Sequence, residues 1–100
     1  GDAYVKTLLA GMLLDQGERA EADRLLEAAV AAEPDLVHAH VALVGSAVAA
    51  GDHAGAIRRL EEAERHVIFD PAGLREALAV YPGALAFLAS PAYRDWEATR

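Results

Sequence analysis

One hundred residues, 54% of them apolar and many of those alanine, suffice for one closely packed helical domain and are too few for two with separate cores. A formal charge of −7 makes the surface acidic and argues against nucleic acid and anionic membranes as partners, because phosphate is drawn to basic patches. The lack of cysteine excludes disulfides, thiolate metal sites and a cysteine nucleophile.

Gly1 stands where a methionine would, which points to a piece of a longer polypeptide, and no basic leader precedes the first helical pattern. Asp2 is placed to cap a helix over residues 3–16, with Val5, Leu8, Leu9, Met12 and Leu13 at helical spacing. Gly11 interrupts that helix at a cost of about 1 kcal/mol against alanine, which predicts close backbone packing there. Gly17 closes it as a left-handed residue. A second helix follows, with Glu18, Glu21 and Asp23 at its positive end. Its inner face is Ala22, Leu25, Leu26, Ala29 and Val30, its wet side Arg19, Arg24 and Glu27, and Pro34 stops it.

A third helix is predicted over residues 35–50. It is apolar around much of its circumference, so neighbours sandwich it or it lines a binding surface. Its run from Val37 to Ala50 carries two histidines and is too short to cross a bilayer. Gly51-Asp52 turns the chain again, one 34-residue step beyond Gly17. The fourth helix, over residues 53–67, turns Ala56, Ile57, Leu60 and Ala63 inward and alternates charge along its outer face. Val67-Ile68-Phe69 is β-prone but has no partners, and reads as a linker sealing the end of the molecule. Asp70-Pro71 starts a fifth helix with Leu74, Leu78 and Val80, and Pro82-Gly83 breaks it. A short sixth offers Leu85, Phe87 and Leu88. Ser90-Pro91 starts a last one holding Tyr93 and Trp96.

The 34-residue step carries more than its glycines. Leu9, Ala10, Leu13, Gly17, Ala22, Leu26, Ala29 and Pro34 are followed by Leu43, Val44, Ala47, Gly51, Ala56, Leu60 and Ala63. Over residues 3–68 this pattern resembles the tetratricopeptide repeat family. The resemblance implies an all-α, right-handed stack of helical hairpins in a single domain over residues 1–100. Repeats span about 3–34 and 37–70, and degenerate capping helices fill about 70–98. Gly17, Ala22, Leu26, Ala29, Pro34, Gly51, Ala56, Leu60 and Ala63 then hold structural positions: alanines where helices cross, leucines between them, glycines in the turns. The chain departs from the pattern at Lys6 and His40, where an aromatic is usual, and at Ile68, where the proline is missing. The next image of the turn glycine is Leu85.

In that family the first helix of each repeat lines a concave groove. The matching positions are Tyr4, Thr7, Leu8, Gly11, Leu14 and Asp15, then His38, Val41, Ala42, Gly45, Val48 and Ala49. Gly11 and Gly45 lie over one another with little charge between them, so the groove suits an apolar helix or side chain. Members that hold a C-terminal carboxylate need lysine, arginine and asparagine there, and this sequence has none of them. The residues singled out for partner binding are Tyr4, Thr7, Leu8, Gly11, Leu14, Val41, Gly45 and Val48. The competing reading fills the same space with the C-terminal helices and makes the domain structural or self-associating. An open path over Leu8, Leu14, Val41 and Val48 favours binding; burial beneath Tyr93 and Trp96 favours structure.

No pattern of residues points to chemistry. His38 and His40 face different directions on one helix, and no H-E-x-x-H motif occurs. The glutamates beside Arg58 and Arg65 form a solvated face rather than a pair held in unequal environments. Ser46 is expected to bond its own backbone and Ser90 to cap a helix. No glycine-rich phosphate loop is present. The expectation is a non-catalytic module with no cofactor and no metal, in a cytoplasmic setting. Its partner is another protein or peptide, or a copy of itself, with neither nucleic acid nor membrane insertion.

Overall fold

Two glycines set the course of the first two thirds of the chain. Gly17 and Gly51 are left-handed, with φ of 80° and 74°. The Gly17 N–H donates to the Leu14 carbonyl at 3.0 Å and the Glu18 N–H to Leu13 at 2.8 Å. One step later the Gly51 N–H donates to Val48 at 3.0 Å and the Asp52 N–H to Ala47 at 2.9 Å. Each pair satisfies carbonyls that a helix end leaves orphaned, and each requires a residue without a Cβ penalty at positive φ.

The computed structural model describes residues 1–100 as seven helices with no strand: α1 (Asp2–Asp15), α2 (Arg19–Ala32), α3 (Val37–Ala49), α4 (His53–Ala63), α5 (Pro71–Leu78), α6 (Ala84–Leu88) and α7 (Pro91–Ala98). Local chemistry accounts for most of the boundaries. Asp52 accepts from the Gly55 N–H at 2.9 Å, Asp70 from Gly73 at 3.0 Å and Ser90 from Tyr93 at 3.3 Å, the last two with proline at the first helical position. Several boundaries differ from the sequence expectation, α3 beginning at Val37 rather than at residue 35. Gly1, not Asp2, precedes α1 and no side chain caps it. Helix α4 ends at Ala63 rather than near Val67; beyond it Glu64 accepts from the Trp96 indole at 3.0 Å and Val67 is buried.

Helix α1 packs on α2, α2 on α3, and α3 on α4. Two apolar clusters result. The first joins Ala3, Ala10, Ala22, Leu26 and Ala29 to Ala39, Ala42 and Leu43 of α3. The second joins Val44, Ala47 and Val48 of α3 to Ala56 and Leu60 and then to Leu74, Leu78, Ala84, Phe87, Tyr93 and Trp96. Helix α3 thus belongs to both, which is the sandwiched outcome its all-round apolarity allowed. Helices α5 and α6 lie on α3, and α7 on α4. Phe69 packs edge-on to Trp96 while Ile68 is 98% exposed, so the linker between α4 and α5 seals the end with alternate residues only. Val80 falls outside α5 and is exposed.

Helix α1 turns its small residues inward and its larger apolar ones outward. It buries the small residues Ala3, Thr7 and Ala10, and leaves Val5, Leu8, Leu9 and Met12 in solvent. No helix is long and apolar enough to cross a membrane.

Candidate functional site

On α1, Tyr4, Leu8 and Met12 follow one another at four-residue spacing, and Val5, Leu9 and Met12 form the adjoining row. All five are between 45% and 60% exposed, and together they make one contiguous apolar face. Buried apolar surface is worth about 25 cal/mol per Å², so covering this face would be favourable.

One edge of the face descends into a groove of about 720 Å³. Leu8, Gly11 and Met12 form its α1 wall; Val80, Tyr81 and Pro82, from the turn between α5 and α6, form the other. Leu14, Asp15, Gly17, Arg19, Ser46 and Ala49 complete the lining, near the ends of α1 and α3. The Arg19 guanidinium donates to the Ser46 hydroxyl at 3.0 Å and lies 3.5 Å from Asp23. Burial pushes the Tyr81 phenol above its ordinary value of 10, and the Asp15 carboxylate adds to the shift.

The residues singled out from the sequence divide. Tyr4 and Leu8 are exposed on the α1 face, and Leu8, Gly11 and Leu14 line the groove. Val41 is half-buried in a separate cavity of about 480 Å³, with Val37, His38 and Phe69. Three do not reach a surface. Thr7 is buried and its hydroxyl donates to the Ala3 carbonyl at 2.9 Å. Val48 is buried in the second cluster, beneath the C-terminal helices. Gly45 is covered by the Tyr81 ring, which lies where a Cβ at this position would stand. The uninterrupted path from Gly11 to Gly45 is therefore absent: Tyr81 divides it, with a cavity on either side. Gly11 has nothing within 4 Å of a would-be Cβ, so the close packing expected there is at Gly45 instead.

Sequence reasoning missed Tyr81, Val80 and Pro82, which enter from a turn with no counterpart in the 34-residue pattern. It also missed Val5, Leu9 and Met12, whose helical spacing reads equally as core.

Two of the four histidines, His40 and His66, come together. His40 is buried, and its Nε2 donates to the Pro34 carbonyl at 2.7 Å. Its ring stacks on His66 at 6.0 Å, with Glu62 3.9 Å from the His66 Nε2. No group of three or more histidine or carboxylate side chains is placed to hold a metal ion. The Ser46 hydroxyl accepts from Arg19 instead of bonding its own helix. Across the outer face, Arg59 pairs with Glu27 at 2.7 Å and links α4 to α2. No protein-family model, curated protein or solved structure matches the chain.

Proposed function

We propose that this domain is a non-catalytic protein–protein interaction module that takes a helix or apolar peptide on the α1 face and its adjoining groove. The contiguous exposure of Tyr4, Val5, Leu8, Leu9 and Met12 carries the reading, since a lone folded chain gains nothing by holding them in water. The finer architecture proposed is a right-handed stack of two tetratricopeptide-like hairpins closed by α5–α7. Its support is the recurrence, 34 residues apart, of the same glycine turn with the same two hydrogen bonds. The test is selection of displayed helical peptides on the intact chain, followed by binding to Leu8→Asp. Leu8 is half-exposed, so the variant folds, and selected peptides are expected to lose about tenfold or more in affinity. Peptides that bind the variant equally well, or a selection that enriches nothing, would refute the reading.

Self-association is the second reading, favoured by Val5 and Leu9, which lie outside the groove and would pair with their own image. A solution mass that doubles with concentration, and stays single for Leu9→Asp, would establish it.

A further inference from the structure

One 34-residue step relates four residues of α1 to four of α3: Val5 to Ala39, Leu8 to Ala42, Leu9 to Leu43 and Met12 to Ser46. On α3 these positions are 0% to 7% exposed; on α1 they are 45% to 60% exposed. The difference is a covering helix. Helix α2 lies on α3 through Leu26, which shares a cluster with Ala39, Ala42 and Leu43, and through Val30 beside Leu43. The same surface on α1 lacks a cover.

The step also relates the helix ends. Near the carbonyl end of α3, α2 supplies Arg19, a cation where the helix dipole favours one. The last turn of α1 holds no basic residue and carries the exposed Asp15 carboxylate, with which no arginine, lysine or histidine pairs. Negative charge at that end is unfavourable within the chain, and it is complementary to a cation brought from outside.

We propose that the α1 face docks a helix of a partner protein that repeats the surface of α2: an apolar stripe with an arginine or lysine at its N-terminal end, set against Asp15. This rests on the interaction-module reading and names its partner. A second copy cannot supply the helix. Its own Leu26 is fully buried and its α2 already packed on α3.

The probe is a synthetic peptide of residues 18–34, held helical by a staple across Arg24 and Ala28, which are exposed in the domain. Fluorescence anisotropy against the intact chain is expected to show saturable binding. Leu9→Asp, or independently Met12→Glu, lowers the affinity about tenfold or more, circular dichroism confirming the fold. Asp15→Asn lowers it about three- to fivefold, the scale of one exposed ion pair, and so does Arg19→Gln in the peptide. The two changes together cost no more than either alone, and Asp15→Asn melts no lower than the parent. Binding to Leu9→Asp at parental affinity overturns the proposal. So does failure of the peptide while helices selected on the α1 face still bind, which leaves the module reading intact. Failure of both removes the two together. A doubled mass abolished by Leu9→Asp overturns the partner in favour of a second copy.

Discussion

Gly11 and Gly45 occupy the same position in the 34-residue pattern and have opposite surroundings. A methyl group at Gly11 meets open space in the middle of a helix. Gly11→Ala is therefore expected to raise stability by about 1 kcal/mol, the helix-propensity difference, read as a higher denaturation midpoint. At Gly45 the same methyl overlaps the Tyr81 ring, and Gly45→Ala is expected to cost about 1–3 kcal/mol through forced displacement. A Gly45→Ala variant as stable as the parent would show that the ring is not held there. Tyr93 makes a separate prediction. It is fully buried and its hydroxyl lacks a hydrogen-bond partner. Burial, then the Glu97 carboxylate, push its ionisation up to about 12. The unfolded chain deprotonates near 10, so the contribution to stability is complete below that pH and is lost as pH rises through 12. Tyr93→Phe is expected to remove this alkaline loss at little or no cost in stability at neutral pH. Denaturant melts across the alkaline range check it.

At the level of elements, α7 is fastened by two carboxylates. Glu64 on the exit of α4 accepts from the Trp96 indole at 3.0 Å and from Arg100 at 2.6 Å, and Arg100 also lies 4.4 Å over the Trp96 ring. Glu97 accepts from Arg75 of α5 at 2.8 Å. Arg100 holds the Glu64 carboxyl, and Arg75 that of Glu97, below the ordinary 4.5. Their contribution is complete above that value and is lost as pH falls through the lowered ones. Trp96 emission is expected to shift to longer wavelength in acid as α7 loosens, and Glu64→Gln to show the looser state at neutral pH. An acid titration in which both proteins behave alike would separate α7 docking from Glu64.

Most of this element structure was legible in the sequence because its signals are local. Positive-φ glycines, Asp and Ser caps and first-turn prolines act within four residues of themselves, and Gly17, Gly51, Asp70-Pro71 and Ser90-Pro91 all did so. The groove was only half legible. Leu8, Gly11 and Leu14 follow from the repeat pattern, whereas the seat of Tyr81 on Gly45 joins residues far apart in the chain and has no local signature. The exposed row of α1 was hidden for another reason. Periodicity reports that a helix has an apolar side, not whether another helix is present to cover it.

For the whole molecule, the decisive fact is that α3 contributes to both apolar clusters, with nine of its residues buried. Neither half retains a closed core without it, so unfolding is expected to be a single cooperative transition. Amide exchange should be slowest in α3 and markedly faster in α1, which is covered on one side only. Equal protection in α1 and α3 of the monomer would contradict the uncovered face. A bound partner should slow α1 alone.

Tyr81 lines both the 720 Å³ groove and the 480 Å³ cavity and is the partition between them. Such a wall, one side chain thick and carried on a turn outside the repeated pattern, is easily altered by mutation. A lineage replacing it with alanine would merge two short sockets into one channel along α3. The repertoire of segments accepted would then pass from compact to extended without any change in the helices that form the floor. Under the proposed function, the length of segment taken would rest on this one side chain.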